Sequence, residues 1–207
     1  MSTKPASLRE RRTAQTRTEL SAVAADLFIR DGLADTTVER IAAEAGVSTR
    51  TFHRYFVTKE EAIAPILDAC WHEYVDAVDR QPGDRQIVDV LVSALTSTFD
   101  GQLGRRHREL LRSLPESPAL KPIWESVHAR SAEGLRTVLA SRLGLDPSSL
   151  HARFAATCVV AANRLAVEEW AADTRASVPD VTRRCLELLG AGVLQTLAPM
   201  MKEGEQS

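Results

Sequence analysis

With 207 residues, 44% of them apolar and 26% charged, the chain can bury one large core or two modest ones and is too apolar to stay disordered. Its formal charge of −2, from 26 Lys or Arg against 28 Asp or Glu, excludes a uniformly basic protein, so contact with nucleic acid must come from a local patch. Cys70, Cys158 and Cys185 are far apart and no Cys or His pair stands at metal spacing, which argues against a disulfide framework and a zinc site.

Reduced thiols in a cytoplasmic protein are therefore expected, with no metal and no cofactor. There is neither a signal-peptide pattern nor an apolar run of about 18 residues, so export and a membrane partner are not expected. Helical periodicity runs almost end to end and alternating strand patterns are scarce. The sequence predicts an all-α fold of about nine helices.

Residues 1–11 read as a flexible basic arm. Arg9, Glu10, Arg11, Arg12 and Arg17 carry a local balance of +3, and residues 1–60 hold ten Lys or Arg against eight Asp or Glu, leaving the remainder acidic. From about Arg12 a first helix places Leu20, Val23, Ala24, Leu27 and Phe28 on one face, and Gly32 ends it.

Thr36 opens a second helix with Val38, Ile41, Ala42 and Ala45 on its apolar face. Gly46 reads as the residue just past its end, where positive φ is needed, with Val47 as the apolar residue that follows. Ser48 restarts the chain as an N-cap. In the third helix Phe52, Tyr55 and Phe56 point inward, leaving Thr49, Arg50, Thr51, His53 and Arg54 for other uses. Glu39 stands three residues after Thr36, and Glu61 three after Thr58, so both following helices carry a capping box. The pattern is a helix-turn-helix over residues 12–58.

A fourth helix from Lys59 carries Ile63, Ile66, Leu67, Cys70, Trp71, Tyr74 and Val78 on one stripe, and Pro65 predicts a kink or a late start. Further helices are predicted at about 86–103, 105–114, 118–143, 148–173 and 179–201, within a second domain spanning 59–207.

The segment TTVERIAAEAGVSTRTFHRYFVTKEEA, preceded by LFIRDG, resembles the DNA-binding region of the tetracycline-repressor (TetR) family of bacterial regulators. The doubled Thr, the A-G-V-S turn, the aromatic pair Tyr55 and Phe56, and Lys59 carry the likeness, over roughly residues 12 to 63. The resemblance implies that Thr49, Arg50, Thr51 and His53 face the major groove, flanked by Ser48 and Arg54. It also implies that Thr37, Tyr55 and Lys59 grip phosphates, with Arg11 and Arg12 adding charge from the arm. Arg50 is the candidate base reader, since its guanidinium can give two hydrogen bonds to guanine O6 and N7. His53 stands where the family more often has Tyr, Arg54 where His is common, and Arg50 where a small residue is frequent; these departures alter the contact pattern.

A lone helix-turn-helix reads few base pairs, so a homodimer on a palindromic double-stranded DNA operator is expected. Cys158, Ala162 and Leu165 on the eighth helix, and Cys185, Leu189 and Gly192 on the ninth, are the candidate interface. Trp71, Tyr74, Phe99, Trp124, His128 and Asn163 are candidates for a pocket that takes a small apolar or amphipathic effector, though each aromatic also fits an ordinary core. The leading reading is a ligand-responsive repressor and not an enzyme. Two alternatives stay open: a DNA-binding regulator acting through a protein partner, and a helical enzyme using His72 and Glu73 or His107 and Glu109.

Overall fold

The computed structural model describes residues 7–100, 108–173 and 175–190. Among these are nine α-helices, one 3-10 turn and no strand. They are α1 (Leu8–Asp31), α2 (Val38–Glu44), α3 (Thr49–His53), the 3-10 turn Glu60–Ile63, α4 (Ala64–Asp79), α5 (Ile87–Asp100), α6 (Arg108–Glu116), α7 (Lys121–Leu143), α8 (Leu150–Ala172) and α9 (Val178–Gly190). The all-α expectation is met. No described helix is long and apolar enough to cross a membrane.

The chain packs into two compact units. One comprises Met1–Trp71 with Arg106–Val127, the other His72–Arg105 with His128–Ser207. This grouping differs from a linear split at residue 58, because α1 packs against α6 as well as α2, and Leu110, Leu111, Leu114 and Leu120 are buried. Helices α4 and α7 each contribute residues to both units.

In the first unit, α1 begins at Leu8, earlier than the expected Arg12, so Arg11 joins Arg12 as an exposed position on a helix instead of lying in a flexible arm. The reason is local: Leu-Arg-Glu-Arg-Arg are all good helix formers, and the Arg11 amide closes the first turn on the Ser7 carbonyl at 3.0 Å. The core is Leu20, Ala24, Leu27 and Phe28 from α1, Ile41 from α2, Phe52 and Phe56 around α3, and Ala62 and Ile63 from the 3-10 turn. Pro65 falls at the second position of α4, so the helix starts late, where a missing N–H costs nothing. The Ile66 N–H next to it donates to the buried Ser21 hydroxyl of α1 at 3.1 Å, which joins the two helices and satisfies an orphan donor.

In the second unit, α9 packs on both α5 and α8. Val90, Ala94 and Leu95 of α5, Leu135 and Leu139 of α7, Val159, Ala166 and Val167 of α8 and Leu186 of α9 are buried. The Arg142 guanidinium of α7 gathers the carbonyls of Asp79, Gln81 and Pro82, fixing the turn that ends α4. Arg183 of α9 pairs with Asp89 of α5 at 2.8 Å.

Candidate nucleic-acid interface and effector site

The turn between α2 and α3 is set by backbone bonds. The Val47 N–H donates to the Ala42 carbonyl at 2.9 Å and the Gly46 N–H to the Ala43 carbonyl at 3.1 Å, the paired bonds of a Schellman ending, with Gly46 at φ +68°. Ser48 then caps α3, its hydroxyl accepting from the Thr51 N–H at 3.1 Å. At α2 the cap is Thr37, not Thr36. Thr37 accepts from the Arg40 N–H at 3.2 Å, while Thr36 is buried and its hydroxyl donates to the Gly32 carbonyl at 2.8 Å, closing the end of α1. The box at Thr58 forms in modified shape: its hydroxyl accepts from the Glu61 N–H, and the Glu61 carboxylate reaches the Val57 N–H rather than that of Thr58.

These caps orient a short α3 whose Phe52 is fully buried, so Arg50 and His53 are exposed and Thr49 and Thr51 half-exposed. Arg54 follows as the C-cap. The inward role expected for Tyr55 needs correction. The residue lies beyond the helix and is half-exposed; its hydroxyl accepts from Arg54 at 3.1 Å, and the Arg54 guanidinium lies 4.9 Å from the ring centre. The hydrogen bond from Arg54 lowers the phenol's pKa, with Thr16 and Thr13 contributing less. Its hydroxyl therefore lies beside α1, among Arg54, Thr16 and Thr13.

The sequence did not single out that side of α1. The Arg17 guanidinium lies 5.7 Å from the Phe56 ring centre, so the stretch Thr13 to Arg17 flanks the exit of α3. The available signal was helical spacing: Thr13, Thr16 and Arg17 recur at three and four residues on one face. Arg11 and Arg12 are exposed on the same helix. Lys59 departs most from expectation. Its ammonium donates to the carbonyls of Leu33 at 2.6 Å and Thr36 at 2.7 Å, so it clasps the loop between α1 and α2 instead of projecting toward phosphate. Those carbonyls belong to the loop between α1 and α2, where no helix supplies a donor, and an ammonium satisfies both. Two ion pairs, Arg30 with Glu44 and Arg40 with Asp31, both at 3.1 Å, further tie α1 to α2.

The effector candidates divide between the units. Trp71 and Trp124 are buried in the first; Tyr74, His128 and Asn163 are buried and Phe99 half-buried in the second. Burial pushes the Tyr74 phenol far above the ordinary tyrosine range, and the neighbouring Asn163 amide pulls weakly the other way. Asn163 is wholly buried, with its amide beside the Tyr74 hydroxyl. Phe99 packs edge-on against Trp170, centroids 6.1 Å apart, a contact absent from the sequence reading. His72 and Glu73 are exposed; His107 lies outside the described residues, as does the side chain of Glu109.

Of the dimer candidates, Ala162 faces inward and is buried, because the helical phase that buries Val159, Ala166 and Asn163 carries it along. The outward stripe of α8 is instead Leu150, Phe154, Cys158, Ala161 and Leu165, with Phe154 65% and Leu165 45% exposed. On α9, Leu188 and Leu189 are exposed and Cys185 half-buried. Gly192 lies outside the described residues.

Comparison with known proteins agrees with this geometry. Residues 20–63 match the model of bacterial regulatory proteins of the tetR family, and residues 85–194 match the MftR C-terminal domain. The HTH-type transcriptional regulator TcmR of Streptomyces glaucescens is 29% identical over 79% of this chain and 76% of its own length. MftR of Mycobacterium tuberculosis, a protein named for mycofactocin biosynthesis, is 28% identical over 88% of this chain and 93% of its own. Among solved structures, the TetR-family repressor FadR of Thermus thermophilus, in complex with lauroyl-CoA, superposes with a TM-score of 0.62 at 20% identity, covering 84% of this chain and 92% of that one. A capped helix-turn-helix and family models matching most of the sequence lead to one conclusion: the chain belongs to the TetR family of DNA-binding transcriptional regulators.

Proposed function

We propose that this regulator is a homodimeric repressor, released from a palindromic operator by a small apolar or amphipathic effector bound in its second unit. The observation that carries the reading is α3, a Ser48-capped helix that buries Phe52 and leaves Arg50 and His53 exposed for the floor of a major groove. Arg54, Tyr55, Thr37, Arg11 and Arg12 supply donors for the phosphates on either side. The exposed apolar stripes of α8 and α9 support dimerisation, since large hydrophobic side chains clustered on one face are what a symmetric interface covers.

The buried Asn163 amide beside Tyr74 supports an effector site, because a few polar groups within mostly apolar surroundings are the usual makings of a small-molecule site. FadR of Thermus thermophilus shows that this fold accommodates an acyl-CoA. Release requires the effector to prefer one of two conformers, with a coupling of about 1–3 kcal/mol between the sites.

Mobility shift of the DNA flanking the protein's own gene tests the reading. A sequence-specific shift that weakens with salt, and is reversed by extracts or compounds that raise the protein's melting temperature, is expected. Specific binding that no stabilising compound reverses would contradict the effector mechanism.

A further inference from the structure

A cavity of about 590 Å3 opens in the first unit, apart from the effector candidates of the second. Its apolar walls come from Phe28, Leu33, Leu110 and Leu120, and Lys59, Glu60 and Arg112 are among its other lining residues. The volume is that of a small-molecule site, and apolar walls with a few polar groups are the usual lining of one. Two cations against one carboxylate favour an anionic head. The cavity also touches Gly32, Leu33 and Ala34, the loop that the Lys59 ammonium clasps through the carbonyls of Leu33 and Thr36.

We propose that this cavity is a second ligand site, which takes an amphipathic carboxylate with its hydrocarbon against Leu110 and Leu120 and its head between Lys59 and Arg112. A carboxylate is a stronger partner for an ammonium than a neutral carbonyl. Occupancy therefore draws Lys59 from the loop that leads into the Thr37 cap of α2, loosens the helix-turn-helix and lowers operator affinity. The site regulates the DNA-binding unit directly, independently of any effector in the second unit.

The test is a methyl-detected NMR titration of the full chain with decanoate, with decanol as the uncharged control. Alongside it, operator binding is measured on a duplex selected by the wild-type protein. Saturable shifts at Leu33, Leu110 and Leu120, affinity for decanol at least tenfold weaker, and at least a threefold loss of operator affinity at saturation are expected. Ser113→Trp, which fills the lining, abolishes the shifts. Arg112→Glu, an exposed position whose fold is checked by thermal melting, weakens decanoate at least fivefold and removes its effect on the operator. Shifts confined to second-unit methyls such as Leu95 and Leu186 would overturn the site while leaving the other effector reading intact. Equal affinity for decanol, absence of saturable binding, or unchanged operator affinity at saturation would also overturn it.

Discussion

Lys59 shows how one residue can hold a helix-turn-helix together through backbone carbonyls. Its two short bonds to Leu33 and Thr36 fix the loop before α2, and with it the Thr37 cap. Replacing it by Met removes charge-assisted bonds at a partly buried position, and a loss of about 1–3 kcal/mol is expected in chemical unfolding. Operator binding by the folded variant weakens, but its salt dependence stays as in the wild type, whereas a lost phosphate contact would reduce the slope by about 0.9 for each protomer bound. A reduced slope with unchanged stability would return Lys59 to the phosphate-gripping role that resemblance assigns it. The sequence shows a Lys at the right place in the motif; where its ammonium goes depends on carbonyls 23 and 26 residues away, which no local pattern records.

At the scale of elements, the caps and stops were legible because they are local chemistry. Gly32, Gly46 and Gly144 take positive φ at helix ends, and Ser48 caps as expected. The cap at α2 slipped by one residue, since Thr36 and Thr37 are equivalent in a pattern and only tertiary packing decides which is buried. The phase of α8 was less legible. Ala-rich helices carry little amphipathic contrast, so Ala162 was grouped with Cys158 and Leu165 as interface although its own face is core. Gly46 yields a direct prediction. A Cβ there meets nothing within 4 Å, so Gly46→Ala pays only the left-handed backbone cost, about 1–2 kcal/mol, visible as a lower melting temperature. A variant as stable as the wild type would mean that the turn relaxes to another conformation.

At the scale of the whole molecule, the two family models divide the chain in sequence, at 20–63 and 85–194, whereas packing places residues 106–127 of the second match in the same compact unit as the first. The dimer proposed above rests on a single helix face, the outward stripe of α8. Phe154→Glu, at an exposed position, is expected to leave the monomer folded by circular dichroism while shifting sedimentation from dimer to monomer and weakening operator binding at least tenfold. A dimer that survives this change lies elsewhere. The central claim, that α3 reads base pairs through Arg50, is tested most directly by selecting duplexes from a random library with the wild type and Arg50→Ala. The account predicts a palindromic motif for the wild type and relaxed preference at one symmetry-related pair of positions in the variant, about 1–3 kcal/mol of discrimination. No enriched motif, or the same motif from both proteins, would contradict it.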